Sequence, residues 1–242
     1  MSTEIKRYRV WDRSTRIFHW INAITVIALM ALGTMIINAD AFTFESEVFI
    51  KKVHTAFGYV FFINLLWRLI WGFVGGHYAR WRQVLPTGIA EIKSYLASII
   101  AGKPKQYLGH NPLARLIITA FFLLLTVQGI TGLVIAGTDL YAPPFGSYFA
   151  NWVTDGDPVR LAALKPGDRS QVVDSSFKEM RAFRGSFTEV HETVFYILSA
   201  LVLLHLIGVI VSEVRERNGL VSAMITGVKV LDETPADGTR QD

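Results

Sequence analysis

The stretch Val190–Ser212, VHETVFYILSALVLLHLIGVIVS, decides the fold. Its only charged residue is Glu192, and a membrane-spanning helix needs roughly 20 apolar residues. His191 and His205 lie fourteen residues apart within it. At 3.6 residues per turn, this spacing brings them to within about 40° of one helix face and roughly 21 Å apart along the axis. The stretch therefore predicts a transmembrane helix that carries two imidazoles at two depths.

Three further stretches are long and apolar enough to cross a membrane. The four predicted spans are Ile17–Ile37, Val53–Val74, Leu116–Ala136 and Val190–Ser212. Composition agrees, since 51% of the 242 residues are apolar, 18% are charged and the mean hydropathy is +0.35. The first span is longer than the apolar part of a signal peptide and lacks a cleavage motif after it, so we expect the mature protein to keep it. We expect an all-α membrane protein, with a single domain over 1–242 built as a four-helix transmembrane bundle.

Basic residues in the connectors predict the orientation of the spans. Lysine and arginine are concentrated in the N-terminal arm and between spans two and three, which favours the cytoplasmic side for both. The basic excess, 24 Lys and Arg against 20 Asp and Glu, thus reflects orientation in a lipid membrane, and no nucleic-acid partner is expected. Both termini should then be cytoplasmic, in a multi-pass protein of the bacterial cytoplasmic (inner) membrane.

The segments that connect the spans, and the tail, also allow structural predictions. Residues 137–189 have six basic and seven acidic residues and no sustained helical pattern, so we expect an outer loop without regular structure that docks a partner. The inner connector has an amphipathic pattern over Thr87–Ile100. After it, Asn111 as N-cap and Pro112 at the first helical position should begin span three. We expect the tail, 233–242, to be disordered.

Four of the six histidines lie inside the spans: His19, His54, His191 and His205. An ionisable side chain in hydrocarbon needs a partner and is a functional hypothesis by default. Depth pairs His54 with His191 near the outer side and His19 with His205 near the inner side. Two stacked bis-histidine pairs are what two b-type haems require. The alternative is that they are isolated hydrogen-bonded histidines in the bundle core.

The chain has no cysteine, which narrows the redox chemistry. It excludes a disulfide, an iron–sulfur cluster and the covalent attachment of a c-type haem. Any haem must therefore be bound non-covalently, with histidine as the obvious iron ligand.

Glycines and cations in the spans are consistent with haem binding. Glycine permits close approach to a flat macrocycle, although helix–helix contacts explain these residues equally well: Gly33, Gly58, Gly129, Gly132 and Gly208. Arg68 lies fourteen residues after His54, at the inner level with Arg13 and Arg16. We expect these arginines to bind haem propionates; for Arg68 the alternative is extension to the cytoplasmic interface.

A quinone site is expected at the inner level. A quinone exchanges protons during its redox reactions, so its head group should lie near a membrane face, beside titratable groups and a haem. His110 and Asn111 are the candidates, because they precede span three at the positive end of its helix dipole. His77, in the same connector, is expected to be a surface histidine.

Several motifs along the chain point to one family. They are Val10-Trp11-Asp12, Phe18-His19-Trp20, Arg68-Leu69-Ile70-Trp71-Gly72, Gly109-His110-Asn111-Pro112-Leu113, Thr131-Gly132-Leu133 and Val221–Gly227. The chain resembles the bacterial di-haem cytochrome b family, or prokaryotic cytochrome b-561 group, which includes the b-type cytochrome subunits of nickel–iron hydrogenases. This resemblance implies two non-covalent haem b groups, with His19, His54, His191 and His205 as the ligands of the iron.

The expected function is electron transfer between the quinone pool and a redox protein on the outer face, either a c-type cytochrome or a hydrogenase-like enzyme. The chain would then be the electron-transfer subunit of a quinone-linked oxidoreductase. A second hypothesis is a superoxide-oxidising or ferric-reducing membrane cytochrome with an outer small-molecule site; the length of 137–189 favours a protein partner instead. A non-redox transport module is disfavoured, because transport does not need paired histidines at two depths.

Overall fold

The computed structural model describes residues 6–39, 47–216, 219–231 and 234–238, most of them helical. The elements are β1 (Lys6–Arg9), α1 (Arg13–Ile37), α2 (Glu47–Val74), a 3-10 turn (His77–Ala79), α3 (Trp81–Val84), α4 (Ile89–Ile100), α5 (Pro112–Leu140), α6 (Gly146–Thr154), α7 (Pro158–Ala163), α8 (Asp174–Glu216), α9 (Leu220–Thr226) and β2 (Val228–Leu231). The amphipathic helix expected between spans two and three is confirmed as α4.

Helices α1, α2, α5 and α8 are each long and apolar enough to cross a membrane. They contain the four predicted spans and extend beyond them. Their large apolar side chains are widely exposed; Ile24, Ile27, Ile63 and Leu203 each leave at least 60% of their surface uncovered. Exposed apolar area on this scale is costly in water, whereas lipid chains cover it without penalty. The helices therefore suit a bilayer.

The expectation that 137–189 lacks regular structure is wrong. Helix α5 continues to Leu140, α6 and α7 follow, and α8 begins at Asp174. Helix α6 belongs to a buried apolar cluster that also includes residues of α5 and α8, namely Val134, Phe149, Val153, Val172 and Met180. Tertiary packing of this kind stabilises helices that sequence periodicity alone does not reveal. A local signal was also present, since Asp157 caps α7 through two backbone N–H groups ahead of Pro158.

Backbone contacts divide the chain into two compact units. We call Met1–Ile21, Asn64–Leu123 and Ala200–Asp242 the terminal unit, because it contains both chain ends. The remaining segments, Asn22–Ile63 and Leu124–Ser199, form the central unit. Each long helix supplies residues to both units, so each unit carries one of the predicted histidine pairs.

The terminal unit contains a small sheet that the all-α prediction missed. Strand β1 pairs antiparallel with β2, with Lys6 opposite Leu231 and Arg9 opposite Val228. A buried apolar cluster accompanies the sheet: Val10, Trp11, Leu108, Ala223 and Leu231. Four-residue strands more than 200 positions apart leave no periodic signal in the sequence, which explains the omission.

The C-terminal segment forms hydrogen bonds to the loop 107–109. Lys229 Nζ donates to the three carbonyl oxygens of this loop at 2.7, 3.2 and 3.2 Å. Asp237 accepts hydrogen bonds from the N–H groups of Leu108 and Gly109, both at 2.8 Å. We call Lys229 and Asp237 the tail clamp. The predicted disorder of the tail is therefore wrong for 234–238, while residues 233 and 239–242 lie outside the described part of the chain.

A charged cluster joins three helices of the central unit. The Asp139 carboxylate, at the end of α5, lies 2.8 Å from Arg184 Nε and 3.2 Å from Lys51 Nζ. Lys51 is three residues before His54 on α2, and Arg184 is seven before His191 on α8. The cluster thus fixes α2 and α8 close to the histidine that each carries.

Candidate functional site

The imidazoles of His54 and His191 face each other within the central unit. Their ring centroids are 6.4 Å apart, with an angle of 68° between the ring planes. Imidazole nitrogens bind metals at about 2 Å, so two rings that ligate one metal from opposite sides have centroids about 6 Å apart. The observed separation is therefore of the size that two axial ligands of one metal require.

The surroundings of the two rings differ. Nδ1 of His191 lies 2.9 Å from the hydroxyl of Thr131 on α5. Nδ1 of His54 is buried and has no hydrogen-bond partner among the described residues. Thr131 belongs to one of the family motifs, but its sequence position assigns it no role. The available signal was a hydroxyl within a predicted span, since such groups commonly bond across transmembrane helices.

Two of the five span glycines adjoin these imidazoles. A Cβ atom at Gly132 would lie 3.2 Å from His191 Cε1, and one at Gly33 would lie 3.6 Å from His54 Cε1. Gly129 instead faces the ring of Phe62, the helix–helix alternative. Added Cβ atoms at Gly58 and Gly208 would have no heavy atom of the protein within 4 Å, so no helix–helix contact explains these two residues.

The second predicted pair lies in the terminal unit. His19, on α1, and His205, on α8, are close enough to interact electrostatically. Nδ1 of His19 is buried and has no hydrogen-bond partner within the described ranges. The His205 ring contacts Phe121 edge-on, with centroids 5.7 Å apart. Both histidines are thus in one apolar region of this unit.

Arg68 is buried in the terminal unit, with 4% of its surface exposed. Its Nη2 donates to the Ala79 carbonyl at 2.9 Å, and the rings of Phe18, Trp81 and Phe122 surround its guanidinium at 5.3–5.9 Å. Nη1 is buried and has no partner in the described structure. The alternative of extension to the interface does not match this burial. A buried donor without an acceptor leaves one position for an anionic ligand atom.

The two neighbouring arginines differ in exposure. Arg16 is partly buried and donates through Nη1 to the Ile225 carbonyl, while its Nε is buried and has no partner among the described residues. Arg13 is exposed. Of this pair, Arg16 therefore provides the second inward-facing donor.

His110 is next to buried cations. Its ring lies 4.7 Å from that of Trp11, and its buried Nδ1 has no partner in the described part of the chain. Burial, followed by the positive charges of Lys229, Arg68 and Arg115, lowers the pKa of His110 to about 3. His110 is therefore neutral at physiological pH and does not serve as a resident acid.

Asn111 begins α5 as predicted. Its Oδ1 accepts a hydrogen bond from the Ala114 N–H at 2.8 Å, and its Nδ2 donates to the Tyr95 hydroxyl at 2.8 Å. Both polar ends of the side chain are thus engaged within the fold. His77 also contacts neighbouring residues, with Nε2 3.2 Å from Gln83 Nε2.

The low pKa of His110 predicts a pH dependence of stability. An unfolded histidine has a pKa of about 6.5, so unfolding takes up a proton below that pH. The neutral imidazole contributes its full stabilisation above about pH 6.5 and loses it as the pH falls towards 3, by roughly 1 kcal/mol per pH unit. We expect His110→Gln to lose less thermal stability than the wild type between pH 7 and pH 5 in detergent. Identical pH profiles for the two proteins would contradict the assigned environment.

The long apolar helices and facing histidines are typical of a helical membrane cytochrome. The chain belongs to the prokaryotic cytochrome b561 family, whose model matches residues 10–227. Family membership implies a membrane protein that uses haem b for electron transport.

Several relatives carry related names. The chain is 26% identical over 246 residues to the "Probable Ni/Fe-hydrogenase B-type cytochrome subunit" of Azotobacter vinelandii, covering 94% of this chain and 90% of that protein. Identity to the protein of the same name from Bradyrhizobium diazoefficiens is 27% over 242 residues, with 90% and 84% covered. The "Probable Ni/Fe-hydrogenase 1 B-type cytochrome subunit" of Escherichia coli K12 is 30% identical over 145 residues, with 54% and 61% covered.

The residues present fit haem b. Haem b binds to proteins through side chains such as histidine, and a histidine pair would hold it here. In the described ranges, no three histidine, aspartate or glutamate side chains converge as they would at a metal site built from protein alone. Unpartnered donors on Arg68 and Arg16 suit the carboxylates of the propionates.

Proposed function

We propose that the protein is a di-haem b-type cytochrome that carries electrons between a membrane quinone and a redox protein. His54 and His191 hold one haem, and His19 and His205 hold the other. The facing imidazoles of His54 and His191, 6.4 Å apart, carry this proposal. Each haem supplies one-electron oxidation and reduction when bound.

The chain's own groups bind and orient the two haems. The imidazoles supply neutral nitrogen ligands, and the apolar helices around them limit the access of water. Arg68 and Arg16, each with a buried donor that has no partner among the described residues, hold propionates of the haem bound in the terminal unit, and the exposed Arg13 adds positive charge one turn away on α1. On α8, fourteen residues separate His191 from His205, a rise of roughly 21 Å. Each half of the span therefore carries one of the two proposed haem sites for electron transfer.

The proposed redox partner is a nickel–iron hydrogenase. Three similar proteins are named as probable B-type cytochrome subunits of such enzymes. The connector 137–189 supplies a folded docking surface, since α6 packs in an apolar cluster with residues of α5 and α8. With both termini cytoplasmic, this surface faces the outer side. Co-purification from detergent tests the partner, since recovery of a small c-type cytochrome instead of a hydrogenase would replace it.

The proposed quinone site adjoins the haem of His19 and His205. Neutral His110 offers a hydrogen bond to a quinone oxygen, and the cations near it favour the negative charge that a reduced quinone carries. Because both ends of Asn111 are already engaged, its contribution is to begin α5 and hold the preceding His110 in place.

We expect His110→Ala to slow quinol oxidation several-fold without changing the haem content. His77→Ala is the matched control, since this histidine lies in the same connector and contacts Gln83. Stopped-flow reduction by a short-chain quinol provides the measurement. Equal rates in both variants and the wild type would limit His110 to a structural role, and faster reduction of the haem of His54 and His191 would move the quinone to the other site.

The haem content tests the central proposal directly. A pyridine haemochrome assay on the purified chain should give two haems per polypeptide. One haem or none in a folded preparation would reject the two-pair assignment.

A further inference from the structure

The hydroxyl of Thr131 has close polar neighbours on two helices. It lies 2.8 Å from the Val127 carbonyl and 3.2 Å from the Gln128 carbonyl, both on its own helix, and 2.9 Å from His191 Nδ1 on α8. A hydroxyl has one proton to donate and two lone pairs with which to accept. A carbonyl oxygen only accepts, so the Thr131 proton is used within α5, as is common for threonine in helices.

The direction of the Thr131 proton determines which nitrogen of the His191 imidazole is protonated. With its proton directed to a carbonyl, Thr131 meets His191 with a lone pair, and Nδ1 must carry the hydrogen. In a neutral imidazole only one nitrogen is protonated. Nε2 of His191 therefore keeps its lone pair and is available as a ligand.

The His191 ring also lies close to the backbone of α5. Gly132 follows Thr131, and an added Cβ there would lie only 3.2 Å from His191 Cε1. One turn of α5 thus contributes a hydroxyl that contacts the imidazole, at Thr131, and the space that the ring needs, at Gly132. The Nδ1 atoms of His54 and His19 have no comparable partner among the described residues. The two histidines of the central unit therefore have different surroundings.

We propose that Thr131 is a positioning residue that holds His191 in the tautomer with the proton on Nδ1 and presents Nε2 to the haem iron. This inference rests on the proposed function, because it assumes that His191 is an axial ligand. An acceptor at Nδ1 increases the basicity of the ligating nitrogen. A more basic ligand favours ferric over ferrous iron, so Thr131 lowers the reduction potential of this haem.

Thr131→Val tests the proposal, because valine has nearly the same shape without the hydroxyl. We expect the reduction potential of one haem to rise, its low-spin ferric electron paramagnetic resonance signal to shift, and its affinity to fall about 10-fold. Thr131→Ser, which restores the hydroxyl, should return all three properties to wild-type values. Thr119→Val is the control, since Thr119 makes the same bond to a carbonyl of its own helix, that of Arg115 at 2.8 Å.

The outcomes separate the possible failures. Wild-type values in Thr131→Val, or equal shifts in the valine and serine variants, would reject the role of the hydroxyl. Fewer than two haems in the wild type would instead reject the proposed function. If the valine variant does not accumulate, Thr131→Ala removes the same hydroxyl and is judged by the same criteria.

Discussion

A His205→Ala chain is expected to lose one of its two haems and to keep the other with an unchanged spectrum. His205 and His19 lie in the terminal unit, whereas His54 and His191 lie in the central unit, and the two pairs share no residue. In the proposed arrangement, removing one imidazole would leave a haem held by a single protein ligand in an apolar region. The haem content should therefore fall from two to about one per chain in the pyridine haemochrome assay.

The reciprocal variant sharpens this test. His191→Ala should remove the other haem, and the two single-haem spectra together should reproduce that of the wild type. Loss of both haems from either variant, while circular dichroism still reports a helical protein, would show that the pairing is wrong or that one site depends on the other. A titration of the His205→Ala protein also isolates the haem whose potential Thr131 is proposed to set.

The second large effect is expected from Gly132→Leu, which should expel the haem held by His54 and His191. Even a Cβ atom at this residue would be 3.2 Å from the His191 ring, and the rest of a leucine side chain needs the space that the imidazole occupies. Helix propensity works in the opposite direction, since replacing glycine by leucine in a helix interior gains up to about 1 kcal/mol. Loss of haem is therefore a steric effect.

Gly185→Leu is the matched control for this substitution. Gly185 belongs to the same unit and to the long helix α8, but a Cβ atom there would have no neighbour within 4 Å. We expect this variant to retain two haems, as measured by absorbance per polypeptide after gel filtration. A Gly132→Leu protein with full haem content would mean that His191 does not occupy the described position when haem is bound.

Local sequence patterns predicted the long helices because each contains a run of about 20 apolar residues, a signal that needs no knowledge of distant contacts. The same criterion failed at the start of α8. Residues 174–189 are polar on much of their surface and become helical because residues such as Met180 pack against α6. Helix ends that depend on tertiary contacts are invisible to hydropathy.

The candidate site likewise has some features that local sequence patterns predict and others that depend on tertiary contacts. The histidine pairs follow from depth, which spacing along a helix supplies, whereas position on α2 left open whether Arg68 is buried or extends to the cytoplasmic interface. The bond between Thr131 and His191 does not follow from spacing along one helix, because it depends on the rotation of α5 against α8 and joins residues 60 positions apart. The neutral state of His110 also required three dimensions, since Lys229 comes from the far end of the chain.

We expect the tail clamp to determine the order in which the two units are completed during synthesis. The central unit consists of residues 22–63 and 124–199 and is complete once α8 has been half translated. The terminal unit still lacks β2 and Asp237 at that moment, so the loop before His110 has no clamp until Lys229 and Asp237 have been synthesised. We therefore expect haem to enter at His54 and His191 first. A fusion partner or truncation that disturbs Lys229 or Asp237 should yield a half-loaded cytochrome instead of an empty one.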